Sequence, residues 1–326
     1  VRVGVRDVVG KDDIRSTHAA LADIAEACLK QIAHREYEKL ATKFGAPLIG
    51  KPTDEELANN VVRRYRDHFA SREGDVCQPV VLALGKLGGR EPNYHSDLDL
   101  IFLFEAGGYT KGRSRSMSSN TPFLSGEDRT INSHFFSEFG QRLIRVCNQL
   151  GPYGRLYEVD ARLRPTGRSG SLAVSFDAFD RYFAEGPAQL WERQALCKAR
   201  PVFGNEEACK HAMEIVARAA FGTPWRREFA AEIRQMRLRM EEGASKRNLK
   251  RGPGGTVDTE FLVQMLQLKH GGDDPSIRVP GTLDALTALE KAGYLAFDDA
   301  EYFRRSYRFQ RSIEARIRLM DAAGRH

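Results

Sequence analysis

Two acidic residues at the start of a predicted strand are the most chemically suggestive feature of the sequence. Ser96-Asp97-Leu98-Asp99 opens an apolar run that continues to Phe104. Because successive strand residues point to opposite faces, Asp97 and Asp99 project on one side while Leu98 faces the core. Parallel carboxylates repel each other unless a cation lies between them, and such oxygen ligands suit Mg²⁺ held together with phosphates. The spacing predicts a metal-and-phosphate site; the alternative is a pair of exposed carboxylates at a strand end.

A third acid lies in a second candidate strand, Arg155 to Leu163. In a continuous strand Asp160, Arg162 and Arg164 share one face. Arginine binds phosphate in a bidentate fork, and an aspartate can complete the shell of a cation. This face therefore predicts a surface for a metal and a polyphosphate. The alternative is an acid and arginines that pair with each other and need no substrate.

A glycine-rich turn, Gly85-Lys86-Leu87-Gly88-Gly89, follows the apolar run Pro79 to Leu84. Glycines let backbone N–H groups approach phosphate oxygens closely, and Lys86 adds a positive charge. The spacing is neither that of the Walker loop nor that of the dinucleotide fingerprint, so a plain turn is the alternative.

These residues must be positioned by a strand-rich middle segment between two helical ones. Strands are predicted over 79–84, 98–104, 155–163 and 172–174, and a helix over 135–150. Helices are predicted over 13–36, from a capping box at Thr53 and Glu56, around Phe183, and over 205–220, 226–246, 257–269 and 298–320. Residues 106–133, rich in Gly, Ser, Thr and Asn, are predicted to form a long loop that could act as a lid. The pattern divides the chain into an N-terminal helical segment (1–77), a catalytic domain (78–204) and a C-terminal helical bundle (205–326).

Composition excludes several classes of protein. Of the 326 residues 41% are hydrophobic and 29% charged, the net charge is +6, and the mean hydropathy is -0.47. These values exclude a mostly disordered chain and a membrane-spanning one. Five scattered cysteines form no metal-ligand or disulfide pattern, which favours a cytoplasmic location. The chain begins without Met, so we expect a segment of a longer polypeptide.

Other conspicuous residues are given structural roles. The basic stretch 234–251 could bind nucleic acid, but interleaved acids and the lack of aromatics favour a solvated helix face and no nucleic-acid partner. We expect His95 to face solvent in a turn and Trp191 to be buried in the core. Asp258 and Glu260, two apart on a helix, do not share a face and are expected to serve a helix start or a domain contact.

The glycine turn, the D-x-D pair and the later single aspartate resemble the layout of the DNA polymerase beta-like nucleotidyltransferase superfamily. That resemblance implies an α+β fold with a mixed sheet, flanked here by N-terminal helices and a C-terminal helical bundle. It also implies metal-assisted nucleotidyl transfer.

A closer resemblance covers nearly the whole chain. Gly85 to Phe102 reads G-K-L-G-G-R-E-P-N-Y-H-S-D-L-D-L-I-F and is similar to a signature of bacterial glutamine synthetase adenylyltransferases. The segments Val159 to Pro165, Trp191 to Arg200 and Gly254 to Phe261 resemble further blocks of that family. Pro92 and Thr259 depart from its usual residues, and neither is a carboxylate.

The resemblance implies roles for the residues named above. Asp97, Asp99 and Asp160 would bind Mg²⁺ and carry catalysis, and Asp160 would assist the incoming tyrosine hydroxyl. The implied nucleotide-binding residues are Gly85, Lys86, Gly88, Gly89, Ser96, Arg162 and Arg164. ATP is the implied substrate, glutamine synthetase the implied target, and a PII-type signal protein a partner of the full-length enzyme in nitrogen metabolism.

The resemblance leaves the direction of the reaction open. The family carries two related halves: one attaches AMP to a tyrosine of glutamine synthetase, and the other removes it by phosphorolysis. Val159 to Pro165 and Val257 look more like the adenylylating C-terminal half, which we favour, whereas His270 to Arg278 also echoes the other half. A nucleic-acid nucleotidyltransferase and a non-catalytic binding module remain as further alternatives.

Overall fold

The computed structural model describes residues 1–51, 71–112, 129–152, 154–245 and 247–320. The predicted capping box at Thr53 and Glu56 and the central part of the predicted loop 106–133 lie outside these residues.

A mixed sheet forms the centre of the fold, as predicted. Its central strand β1 (Pro79–Ala83) is antiparallel to both β2 (Leu98–Phe104) and β7 (Arg200–Phe203). On its other edge β2 pairs in parallel with two short strands, β5 (Val159–Asp160) at its start and β6 (Ala173–Ser175) at its end. All five residues of β1 are buried, as expected of a strand covered on both faces.

The predicted strand over 155–163 is wrong in its extent. Gly154–Arg155 forms a separate two-residue strand, β4, which pairs with β3 (Leu150–Gly151), and β5 ends at Asp160. Strand β7 was not predicted, because its four residues lie within a stretch dominated by helical periodicity. Pro201 within it suits extended backbone and interrupts a helix.

Helices precede, interrupt and follow the sheet. Their bounds are α1 (Arg2–Val8), α2 (Ile14–Phe44), α3 (Gly85–Gly88), α4 (Asn132–Asn148), α5 (Phe176–Ala184), α6 (Leu190–Leu196), α7 (Glu206–Phe221), α8 (Arg227–Glu241), α9 (Thr256–His270), α10 (Thr282–Lys291) and α11 (Phe297–Met320). Helix α2 begins where the Asp13 carboxylate accepts a hydrogen bond from the Ser16 amide at 2.8 Å, a typical N-cap. Helix α8 ends at Glu241, earlier than predicted.

Aromatic side chains join helix α4 to the sheet. Phe136 stacks on Phe104 with ring centroids 4.9 Å apart, and Phe139 meets Phe102 edge to face at 6.4 Å. Tyr37 of α2 packs against the same helix from outside. This layer holds the sheet between helices and keeps β2 in place.

The last helices pack around their own small core. Val263 of α9, Ile277, and Ala285, Leu286 and Leu289 of α10 are buried together. The α+β class, with helices flanking a mixed sheet on both sides in the chain, is therefore confirmed, whereas the domain boundaries at 77 and 204 stay predictions. No helix in the described ranges combines the length and apolarity needed to cross a bilayer.

Candidate active site

The parallel pair of β2 and β5 brings two of the predicted acids together. Asp99 and Asp160 are register partners, and the preceding Leu98 is the partner of Val159. The Leu98 amide donates a hydrogen bond to the carbonyl of Glu158 at 2.8 Å. Leu98 is fully buried, whereas Asp97 on one side of it is exposed and Asp99 on the other is half-buried.

Gly85 lies directly against the Asp99 carboxylate. A Cβ atom at Gly85 would stand 2.1 Å from Asp99 Oδ2, and the φ angle of Gly85 is +52°. The neighbouring Leu84 amide donates to the Asp99 carbonyl at 2.9 Å. The turn therefore requires glycine for both its backbone conformation and its contact.

Burial and like charge shape the electrostatics of Asp99. Burial, followed by the charges of Asp97 and Asp160, raises the pKa of Asp99 to about 6, while Lys250 and Lys86 act in the opposite direction. The acids are thus close enough to repel each other through the protein. No ion pair within the described residues involves Asp97 or Asp99.

Asp160 is engaged by its own loop. The Arg162 Nε donates to Asp160 Oδ2 at 2.7 Å, and the Arg162 amide donates to Asp160 Oδ1 at 2.9 Å. This hydrogen-bonded arginine holds the pKa of Asp160 below its ordinary value. Because β5 ends at Asp160, the predicted common strand face of Asp160, Arg162 and Arg164 is wrong, and the pairing of acid with arginine considered as the alternative is present.

Arg164 points into the loop that follows. Its guanidinium donates to the carbonyls of Ala161 at 2.5 Å, Ser171 at 3.1 Å and Gly170 at 3.3 Å. The side chain thereby fixes the loop after β5 from within. Phosphate binding by Arg162 and Arg164 stays a prediction.

The remaining glycines of the turn serve close packing. A Cβ at Gly88 would stand 1.9 Å from the Lys198 carbonyl, and one at Gly89 would stand 3.1 Å from the Pro280 carbonyl. Their amides already donate to the carbonyls of Leu84 and Gly85. These contacts dock the turn on its neighbours, so a role for Gly88 and Gly89 in binding phosphate stays a prediction.

Ser96 and Lys86 also have protein partners. The Asn93 amide donates to Ser96 Oγ at 2.9 Å, which closes the turn before Asp97. Lys86 Nζ donates to Glu314 Oε1 of α11 at 3.1 Å. Burial and the charge of Arg311 lower the pKa of Lys86 to about 8, against the opposing effect of Glu314.

Asp97, Asp99 and Asp160 have the oxygen ligands that a divalent cation prefers, but their side chains are not arranged around a common point. Within the described ranges, no three His, Cys, Asp or Glu side chains are grouped so as to hold a metal ion. Asp97 and Asp99 are nevertheless crowded acids without an ion-pair partner in that part of the chain, and a cation would relieve their repulsion. Asp160 could join them only by exchanging its contact with Arg162.

Three expectations about other residues can be compared with the structure. His95 is exposed in a turn with a φ angle of +55°, as predicted. Trp191 is 37% exposed, so its predicted burial is wrong; its neighbours Leu190 and Glu192 are buried instead. Asp258 and Glu260 diverge as predicted.

Each of these two acids has its own partner. Asp258 accepts from Arg237 Nε at 2.5 Å and from the Gly254 amide at 2.7 Å at the start of α9. Glu260 accepts from the Tyr307 hydroxyl of α11 at 2.9 Å.

A buried polar cluster next to the turn was missed by sequence reasoning. Lys198 Nζ lies 3.0 Å from both Glu91 Oε2 and Thr282 Oγ1, and the Thr282 amide donates to Glu91 Oε1 at 2.6 Å. Tyr307 adds its hydroxyl at 3.3 Å from Glu91 Oε2. The cluster ties the segment after the glycine turn to α10 and α11. Glu91 and Lys198 lie in blocks that carry the family resemblance, which was the only available signal.

Comparison with known proteins identifies the family. The family model for glutamate-ammonia ligase adenylyltransferase matches residues 53–215, half of the chain. The chain belongs to this family. The matched residues include the glycine turn and the three acids of the site.

Three curated relatives extend the similarity over nearly the whole chain. The bifunctional glutamine synthetase adenylyltransferase/adenylyl-removing enzyme of Streptomyces avermitilis is 34% identical over 97% of this chain and 27% of its own length. Proteins of the same name from Thioalkalivibrio sulfidiphilus and Pseudomonas putida are 32% and 31% identical, over 99% and 98% of this chain and 31% and 30% of their own lengths. The chain thus spans less than a third of these relatives.

A second family model overlaps the C-terminal helices. The model for PII-uridylyltransferase matches residues 227–326, a range that begins at α8 and includes α9, α10 and α11. The prediction that the chain belongs to a family of nucleotidyltransferase enzymes is confirmed.

Proposed function

We propose that this chain transfers AMP from ATP to a tyrosine of glutamine synthetase and releases pyrophosphate. The observation that carries the proposal is the placement of Asp97, Asp99 and Asp160 at the β2–β5 pair, with Gly85 packed directly against Asp99. Membership of the adenylyltransferase family supports the same reaction.

The proposed chemistry is a substitution at the α-phosphorus of ATP. The tyrosine oxygen forms a bond to that phosphorus, the bond to the pyrophosphate oxygen breaks, and the tyrosine proton passes to a nearby carboxylate, for which we propose Asp160. Asp97 and Asp99 would hold Mg²⁺, which when bound stabilises negative charge on the phosphates. Because Gly85 has no side chain, the glycine turn can lie directly against the Asp99 carboxylate.

Asp160 has to release Arg162 for this role. The Arg162 side chain is 62% exposed, so it can leave Asp160 for solvent, and bound Mg²⁺ would replace it as the partner of the carboxylate. Once released, the arginine can turn toward a phosphate oxygen. Arg162 would then pair with Asp160 before the substrate binds and with phosphate afterwards.

The partners and setting follow from the same proposal. We propose glutamine synthetase as the protein substrate, the cytoplasm as the site of action, and no nucleic-acid partner. The match of residues 227–326 to the PII-uridylyltransferase model supports a PII-type signal protein as a regulator of the full-length enzyme in nitrogen metabolism.

The relatives' name combines adenylyl transfer with adenylyl removal. Removal of AMP from glutamine synthetase by phosphorolysis is therefore the second candidate. In that reaction phosphate attacks the AMP-tyrosine, the bond to the tyrosine oxygen breaks, and ADP leaves. Both reactions act on the same phosphorus and use the same acids.

One experiment separates the two reactions. The 326-residue chain is incubated with unmodified glutamine synthetase, Mg²⁺ and ATP labelled on the α-phosphate, and in parallel with adenylylated glutamine synthetase and phosphate. Label on a tyrosine is the expected result. Release of ADP in the second reaction, without label in the first, would assign the removing activity. If neither labelled tyrosine nor ADP formed, that result would contradict nucleotidyl transfer by this chain.

A further inference from the structure

A basic cleft lies between the segment after α8 and the end of α11. Its volume is about 510 Å³, within the range of small-molecule sites, about 300 to 1,000 Å³. Arg247, Lys250 and Arg251 line one side, and Glu314 and Arg318 line the other. The helix predicted for this stretch ends at Glu241, so these cations form the wall of a cleft instead of a solvated helix face.

The cleft carries unbalanced positive charge. Its one carboxylate, Glu314, is already paired with Lys86 and Arg311 and lies 3.3 Å from Arg318 Nε. Within the described ranges, Arg247, Lys250 and Arg251 have no carboxylate at ion-pair distance. Cations left without a partner in a concave surface favour an anionic ligand.

The wall of the cleft is held in a defined conformation. Asn248 Oδ1 accepts from the amides of Lys250 at 3.0 Å and Arg251 at 2.9 Å. The Leu249 carbonyl accepts from the amide of Thr256, the first residue of α9, at 2.9 Å. The basic residues are therefore presented by a hydrogen-bonded turn fixed to a helix.

The cleft borders the carboxylate site. Arg318 Nη1 donates to the Tyr94 carbonyl at 2.9 Å, in the turn that leads to Asp97. Glu314, which lines the cleft, also accepts from Lys86 Nζ of the glycine turn at 3.1 Å. Direct contacts therefore join the cleft both to the glycine turn and to the turn before Asp97.

We propose that this cleft binds the phosphate that leaves or attacks the reacting phosphorus, on the side opposite the tyrosine oxygen. In adenylyl transfer that group is the pyrophosphate portion of ATP, and in phosphorolysis it is inorganic phosphate; the recognised chemistry, a multiply charged phosphate, is the same. Lys250 and Arg251 are the principal contacts. The inference rests on the proposed function and adds to it the part of the substrate that the C-terminal helices bind.

The test measures binding of Mg²⁺-ATP, of AMP with Mg²⁺, and of inorganic phosphate in the presence of AMP, by calorimetry on the full chain. Lys250→Gln and Arg251→Gln are compared with Arg239→Gln, which removes an exposed cation from α8. Each cleft variant is expected to weaken ATP binding about tenfold, as for loss of one charge-assisted hydrogen bond, and to leave AMP binding within about twofold. Arg239→Gln should leave both unchanged.

The outcomes separate the sources of the phosphate and the alternatives. If the cleft variants lose phosphate binding and keep ATP binding, the cleft binds inorganic phosphate. If they lose ATP binding and keep phosphate binding, it binds the triphosphate. Either result supports the proposal. Equal weakening of ATP binding and AMP binding, or unchanged binding of all three ligands, would overturn it. A wild-type chain that binds neither nucleotide nor phosphate would contradict the proposed function itself.

Discussion

Asp99 and Asp160 stand opposite each other on two parallel strands that are distant in the sequence. Their proximity, with Asp97 close by, has a measurable electrostatic consequence. Burial and then the neighbouring acids raise the pKa of Asp99 to about 6. A site of this kind is unfavourable for the protein alone and suits a function that brings a cation to it.

Gly85→Ala is expected to impair activity through Asp99. The new methyl group would stand 2.1 Å from Asp99 Oδ2 and would push the carboxylate out of place. Activity should fall about a hundredfold, as for other misplacements at a reacting centre, which a transfer assay at saturating ATP would show.

Gly243→Ala is the matched control for this substitution. Gly243 also has a positive φ angle, +78°, but a Cβ there meets nothing within 4 Å. It should cost about 1 kcal/mol of stability through backbone strain alone, with activity retained. Equal activities of the two variants would show that contact with Asp99 does not matter.

The sequence predicted the central strands well because their signals are local. Pro79–Ala83 and Leu98–Phe104 are apolar runs bounded by turn residues, and both are strands. Strand β7 and helix α10 were missed, since a four-residue edge strand and a ten-residue helix carry little periodicity. Their positions depend on tertiary pairing with β1 and on packing against α9 and α11.

The sequence was enough to predict the acidic residues of the site, but not the contacts of its arginines and lysines. The D-x-D spacing and the later Asp160 were enough to select residues that the sheet brings together. Strand parity failed for Arg162 and Arg164, because the chain turns directly after Asp160 and their guanidiniums find partners there. Partners of Lys86 and Lys198 on α11 and in the Glu91 segment required the packed structure.

His18 is expected to make the fold sensitive to acid. Burial, then the charge of Arg311, lowers its pKa from 6.5 to about 2, with Glu314 opposing and Lys86 contributing. Since the folded state disfavours the protonated form, stability is full above about pH 6.5 and is lost as the pH falls below it. Between pH 7 and pH 5 this residue should account for a loss of about 2 kcal/mol.

Urea denaturation of His18→Leu at the two pH values measures this effect. The variant should lose about 2 kcal/mol less than wild type on acidification. His34→Leu on the same helix is the control, because His34 is exposed beside Glu38. Identical pH dependence of wild type and His18→Leu would exclude a buried neutral imidazole.

Lys198→Met is expected to destabilise the junction between the glycine turn and the C-terminal helices. It leaves Glu91, Thr282 and Glu260 without their shared cation in a buried cluster. Removal of one partner from a buried pair costs about 3 to 5 kcal/mol, measurable as a lower free energy of unfolding in urea.

An exposed ion pair provides the comparison. Arg155 and Glu158 are 49% and 69% exposed in their side chains, so Arg155→Met should cost under about 1 kcal/mol. If Lys198→Met proved as mild as Arg155→Met, the cluster would not be what joins the turn to α10 and α11.

Single-turnover transfer of labelled AMP to glutamine synthetase measures whether Asp97 and Asp99 carry the proposed nucleotidyl transfer. Asp97→Asn and Asp99→Asn keep the shape of each side chain and remove its charge, and Asp273→Asn removes an exposed acid in the turn after α9. We expect both site variants to fold and to lose at least about a hundredfold in rate, and we expect Asp273→Asn to transfer AMP at the wild-type rate. Transfer at the wild-type rate by a folded Asp99→Asn protein would contradict the proposed role of these acids.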